Sequence, residues 1–317
     1  MTRASVPDGV QSRSMSTQEE CQNFVQQQIE RLGSRVSDDV LLWHYTNGEG
    51  LIGILESGML YSTQVSCVND SNETRYAQLL FQKALTETLS KYTGDENVKK
   101  FLARYLKIIE ETISLPSHAP SAFFIACFSR EEDSLGQWRA YSCGENGYAI
   151  GFKASNLMPW CVLAKVNYDR ALHEKIAVDT ADATAKFYEE GLAGKDSEQI
   201  AKWENDFLDM WDSNIAYLAP LLKDPGFASE EEYRIIHPFM PADLIRIRIV
   251  QKKTMMTRHI PLRLGGESWI PRLPIEKVMI GPCRHPKITG ISVDTLLRKM
   301  GYGTGKVVHS VRPLQET

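Results

Sequence analysis

The sequence lacks most of the bulk features that would tie it to a partner. Its 36 basic and 40 acidic residues leave a net charge of −4 over 317 residues. No global field therefore draws it to phosphate backbones, and a nucleic-acid role needs a local patch. Long apolar runs are missing as well. The uncharged stretch from Ser114 to Ser129 is broken by Pro116, His118 and Pro120 and falls short of the roughly 20 apolar residues that span a bilayer. No membrane partner is expected. Met1 to Gln18 has no apolar core of the kind a secretory signal needs, so the expected location is the cytoplasm. Cys21, Cys67, Cys127, Cys143, Cys161 and Cys283 form no C-x-x-C pair, which leaves neither a disulfide framework nor a thiolate zinc site to be read. Internal repeats and low-complexity linkers are also absent.

With 43% apolar residues, the chain can build a packed core, and its periodicities alternate between helix and strand. Residues 1–15 read as a mobile tail, and Ser16-Thr-Gln-Glu19 as a capping box opening a helix to about Leu32. A strand over 40–45, a helix over 49–57 stopped by Gly58, and a strand over 59–63 follow. Helices are predicted from about Asp70 to Tyr92 and from Val98 to Ile113. The apolar run 121–128 reads as a central strand buried on both faces. Asp133 is placed to cap a short helix through Tyr141, and 147–152 and 160–168 read as antiparallel strands. Residues 171–222 are different: Ile200, Trp203, Phe207 and Trp211 recur at helical spacing, which predicts a helical pair. Strands resume over 232–237, 244–250, 258–262, 277–281 and 306–311, with a helix over 293–300. The expectation is one α+β domain over 16–317, a mixed or antiparallel sheet flanked by helices with an insertion at 171–222. That insertion is a candidate partner contact or a cover over the sheet.

Two motifs fail on spacing. Gly301-Tyr-Gly-Thr-Gly-Lys306 has three residues between the outer pair of a would-be phosphate loop and Val307 after the lysine. His173-Glu174 and Arg284-His285-Pro286 lack the companions of a metal site, so no metal is expected. Four clusters remain. His44-Tyr45-Thr46 closes a strand where ligands commonly bind. Asn69-Asp70 and Glu73 open a helix whose N-terminal N–H groups suit a phosphate, and a capping box accounts equally well for Asp70 and Glu73 and is favoured for both. Ser129 leaves the central strand toward Gln137-Trp138-Arg139-Ala-Tyr141, a guanidinium beside two aromatics. Glu230-Glu-Glu232 precedes a strand that carries Arg234 in its interior, where an acidic partner is anticipated.

Taken in order, "WHYTNGEGLIGILESGMLYST", "VNDSNE", "FSREEDSLGQWRAY", "GYAIGF", "GFASEEEYRI" and "VMIGP" resemble the bacterial domain-of-unknown-function family 2971 over about 41–312. More weakly, the opening strand–helix–strand is similar to the ADP-ribosyltransferase core. That likeness implies a split sheet and NAD as substrate. It implies that His44 and Thr46 hold the ribose and nicotinamide, and that Tyr61 or Tyr45 stacks on the ring. Glu232 would contact the ribose, and Glu230 would face an acceptor that is a protein, a nucleic acid or water. Arg139 is the candidate for the diphosphate; Asn69, Ser129, Trp138, Tyr141 and Arg234 complete the expected cofactor-binding set. His44 and Glu232 are then expected on adjacent strands, facing one cleft. The expected function is ADP-ribosyl transfer or NAD hydrolysis by a defence or toxin effector. The alternative is a non-catalytic nucleotide- or protein-binding module of a defence system.

Overall fold

The computed structural model describes residues 8–65, 72–114, 123–142, 146–251, 255–265 and 272–312. In chain order the first elements are α1 (Asp8–Arg31), β1 (Leu41–Asn47), α2 (Gly48–Ser57), β2 (Leu60–Gln64), α3 (Asn72–Lys91) and α4 (Glu96–Ser114). Next come β3 (Phe123–Ser129), α5 (Leu135–Tyr141), β4 (Gly147–Lys153), α6 (Ala154–Leu157), β5 (Val162–Lys165), α7 (Arg170–Leu192) and α8 (Ser197–Ile215). The last are β6 (Glu232–Pro238), β7 (Arg248–Gln251), β8 (Met256–Leu262), β9 (Ile275–Ile280), α9 (Pro286–Lys299) and β10 (Val307–His309). The chain divides into two compact units.

The sheet unit comprises Arg35–Asn69, Phe123–Val166 and Gly226–Thr317. Its strands run in the order β10-β9-β4-β1-β3-β2-β8-β7, with β6 also on β3 and β5 on β6. β9 and β10 are parallel and the other pairs antiparallel, so the sheet is mixed. One face carries the main core, where Leu51, Ile54 and Leu55 of α2 and Val293 and Leu297 of α9 pack on Leu42, Phe128, Ile150, Tyr233 and Ile260. Asn47 caps α2 by accepting from the Gly50 N–H, and Gly58 ends it at φ 62°, a left-handed conformation that glycine adopts at no steric cost. The opposite face holds a smaller aromatic cluster of Trp43, Tyr45, Trp138, Ala149 and Met279.

The helical unit comprises Met1–Ser34, Asp70–Ala122 and Asn167–Pro225. Its core is aromatic: Phe101 stacks on Tyr188 at 3.8 Å and 10°, and Phe207 stacks on Trp211 at 5.9 Å. Trp211 also donates its indole N–H to the Thr184 hydroxyl at 2.9 Å, which satisfies the polar end of a buried ring. Asp169 caps α7, and Asp196 with Gln199 forms a reciprocal capping box on α8. The stretch 171–222 is thus a helical pair.

Several boundaries move for identifiable reasons. α1 begins at Asp8 rather than Ser16, because Gln11, Arg13 and Met15 are all good helix formers. Ser134, not Asp133, caps α5 by accepting from the Gln137 N–H. The predicted strand 160–168 shrinks to β5, which pairs with β6 and not with β4. The predicted strand 244–250 is a 3-10 turn over Pro241–Arg246 followed by the short β7; Pro241 and the Asp243 cap start that turn.

Candidate functional site

The site grows out of the way β3 meets its neighbours. Along one edge β3 pairs with β6 at every position from Phe123↔Pro238 to Ser129↔Glu232. Along the other it pairs with β2 at Thr63↔Ile125 and Gln64↔Phe124 and with β1 only at Trp43↔Ser129. β1 and β3 therefore separate after a single registered pair. His44 bridges the opening, its ring Nδ1 2.9 Å from the Cys127 carbonyl, which fixes Nδ1 as the protonated nitrogen because a carbonyl only accepts. Burial holds its pKa below the usual histidine value, with that hydrogen bond opposing the shift.

Register and alternation assign the faces. Trp43, Ser129 and Glu232 stand opposite one another across β1, β3 and β6, so they share a face. His44 and Thr46 alternate with Trp43 and Tyr45 and project to the other face, where His44 meets the Phe128 ring at 5.7 Å. The expectation that His44 and Glu232 face one cleft is corrected: β3 lies between their strands, and the side chains are on opposite faces.

On the Trp43 face a shallow cleft with about 10 Å³ of enclosed space is lined by Trp43, Tyr45, Cys127, Phe128, Gln137, Tyr141, Glu230 and Glu232. Gln137 and Tyr141 come from α5 one turn apart, and Trp138 packs beneath them. The Trp138 ring is wedged so closely that a Cβ on Gly147 or Gly281 would lie 2.9 Å from it. Its indole N–H donates to Asp133 at 2.7 Å, and Asp133 also accepts from Ser310 at 2.6 Å. Tyr45 meets Trp138 edge-on at 4.6 Å. Its hydroxyl donates to the Glu131 carbonyl at 2.6 Å and accepts from the Ser134 N–H at 3.2 Å, so the ring is fixed at both ends.

The acidic wall is built just as tightly. Ser129, buried, donates its hydroxyl to the Glu230 carbonyl at 2.7 Å, and the Arg130 N–H donates to the Glu231 carbonyl at 3.1 Å. Glu231 itself sits at φ 40°, a left-handed conformation that a residue with a Cβ adopts at a cost of roughly 1–2 kcal/mol. Beyond this turn Glu232 and Arg234, 4% and 1% exposed, form a two-point ion pair. Nε and Nη2 of the arginine donate to Oε1 and Oε2 at 2.8 Å each. The pair sits at the floor of an aromatic-walled cleft.

The remaining predicted residues fall elsewhere. Arg139 follows Gln137 by two residues and is exposed on the far side of α5. Tyr61 lies on β2 opposite Pro261, away from the cleft lining. Asn69 lies outside the described residues. Trp43 and Cys127 line the cleft without having been singled out; strict alternation from Tyr45 would have placed Trp43 with it. Among the described residues no three His, Cys, Asp or Glu side chains gather as metal ligands do, and no helix is long and apolar enough to cross a membrane.

Residues 137–235 match a family described as protein of unknown function (DUF2971). The match is narrower than the 41–312 span of the six motifs, but it contains Gln137 and Tyr141 of α5, both cleft glutamates and Arg234. No curated protein and no solved structure matches the chain.

Proposed function

We propose that the cleft binds the nicotinamide end of NAD and cleaves its ribosyl bond, as an ADP-ribosyl transferase or NAD hydrolase. Of the residues that carry the likeness to ADP-ribosyltransferases, Tyr45, Glu230 and Glu232 line the cleft, whereas His44, Thr46 and Tyr61 do not. The observation that carries the reading is the joining of aromatic walls from Trp43, Tyr45 and Tyr141 with two carboxylates, Glu230 and Glu232. Aromatic faces and fixed anions attract a planar cation, and the nicotinamide ring of NAD is one. Arg234 grips both Glu232 oxygens, which fixes the carboxylate against the cleft; in this reading that carboxylate also accepts from a ribose hydroxyl.

In this scheme the bond from ribose C1′ to the pyridinium nitrogen breaks and its electron pair leaves with nicotinamide, which departs neutral. Positive charge develops at C1′, and Glu232 stabilises it through the neighbouring hydroxyl. Water or an acceptor hydroxyl adds to C1′ and loses its proton to Glu230. His44 and Thr46, on the other face, have no part in this version; His44 instead holds open the strands that border the cleft.

A non-catalytic module is the second reading, favoured by one observation: the enclosed part of the cleft has room for about one water molecule. Glu232→Asp separates the two. It keeps a carboxylate against Arg234 but withdraws it from the cleft by one methylene. The expected outcome is nicotinamide release by the wild type and a loss of about 100-fold or more in the variant, with NAD binding retained. Absence of nicotinamide release from the wild type, with NAD bound, leaves the module reading standing.

A further inference from the structure

The hairpin of β7 and β8 combines features that the cleft does not use. From Leu244 to Leu264 the sequence carries six basic residues and no acidic one, in a chain whose net charge is negative. β7 is the last strand of the sheet among the described residues, and all four of its side chains are exposed. Ile249 is 67% exposed, Met256 69%, and Leu244 and Ile245 of the preceding turn 68% and 93%. Register places Ile249 opposite Arg258 and Gln251 opposite Met256, so apolar and cationic side chains share one open face. The turn is fixed in place: Asp243 accepts from His237 at 3.0 Å and from Arg246 at 2.8 Å, which offsets the charge of its carboxylate. An exposed apolar edge strand is a surface that natural proteins ordinarily blunt.

We propose that the outer edge of β7 is a strand-addition site for an extended acidic segment of a partner protein. Along the edge of β7 that pairs with no other strand among the described residues, backbone N–H and C=O groups offer hydrogen bonds that another strand matches in register. Arg248 selects acidic side chains on one face of β7, and on the other face Ile249 and Met256 seat apolar ones beside Arg258. Three other occupants fit less well. A second copy paired through β7 would bring two like-charged hairpins together. A bilayer would leave the strand edge unsatisfied in hydrocarbon. Single-stranded nucleic acid stacks on aromatic rings, and Met240 to Leu264 contains no Phe, Tyr or Trp. This inference is independent of the NAD reading.

The test uses the full chain and a fluorescent heptapeptide of alternating glutamate and valine, followed by anisotropy. Saturable binding is expected, weakened about tenfold by Arg248→Glu combined with Arg258→Glu. It is also expected to be lost when alternate peptide amides are N-methylated, which removes the donors but keeps every side chain. No saturation overturns the proposal. So does equal binding of the N-methylated peptide, or binding of anionic vesicles or DNA without binding of the peptide.

Discussion

The helical unit buries aromatic rings and satisfies their polar ends locally, whereas the sheet unit buries a charge pair beside a strained turn. In the first, Trp211 finds Thr184 and Trp203 donates to the Tyr188 carbonyl at 3.3 Å; both helices of the 171–222 pair have regular caps. In the second, Glu231 at φ 40°, the buried Arg234–Glu232 pair and the parting of β1 from β3 all border the same cleft. Departures from local rules that gather at one place point to function, because each has a cost that packing alone does not require. Such departures border the cleft of the sheet unit, and the helical pair shows regular caps in their place.

The largest effects probe each unit at its centre. Trp211→Ala should cost about 3–5 kcal/mol of stability by emptying an aromatic core. Glu232→Gln should cost a similar amount, roughly 3–5 kcal/mol, for a different reason: it removes the buried carboxylate that the Arg234 guanidinium grips at two points. Adding Arg234→Met to Glu232→Gln should recover much of the second loss, since removing both partners leaves no orphaned charge. Denaturant unfolding checks all three, and a single Glu232→Gln variant as stable as the wild type would contradict the ion-pair account. A glutamine at 232 is therefore a poor test of catalysis, although the sequence by itself recommends it.

Next in size is the response to acid, where each unit holds a histidine whose pKa burial lowers. His173 has its Nδ1 2.9 Å from the Tyr76 hydroxyl and its Nε2 3.0 Å from Asn167 Oδ1. Desolvation lowers its pKa, as it does that of His44. The sign follows: with folded values below the ordinary 6.5, the unfolded chain takes the proton first. Stability is full above about pH 6.5 and declines as pH falls toward the folded values, by at most about 1.4 kcal/mol per pH unit per histidine. His44→Gln and His173→Gln should each flatten that decline in melting curves between pH 7 and 5. An unchanged slope in either variant would break the parallel between the units.

How far all this was legible in the sequence differs between the units for a physical reason. Helical spacing of Trp203, Phe207 and Trp211 reports directly on a buried stripe, because the helix period is local. β3 was likewise legible as a buried central strand. The cleft was less so: Glu230, Glu232, Tyr45 and Tyr141 were readable as polar and aromatic clusters, but the face each occupies depends on pairings across more than 100 residues, as between β3 and β6. A shift of one position along β1 exchanges His44 for Trp43, and nothing local to that strand decides which of the two faces Glu232.

A smaller effect sharpens the contrast at the backbone. Glu231→Val should cost about 1–2 kcal/mol, since a β-branched side chain resists the left-handed conformation, while Glu231→Gly should be neutral or slightly stabilising. The same exchange on the exposed face of α8, Lys202→Val, should cost only about 0.5 kcal/mol through helix propensity. Equal costs at the two positions would show that the turn stores no strain.

The account turns on the cleft recognising a planar cation, and comparing NAD with NADH tests this directly, because the two differ in the charge of the nicotinamide ring. Isothermal titration of the full chain should show NAD binding at least about tenfold more tightly than NADH. That preference should fall in Tyr141→Ala, which removes one aromatic wall. Equal affinity for the two nucleotides, or no affinity for either, would contradict the cleft's assignment.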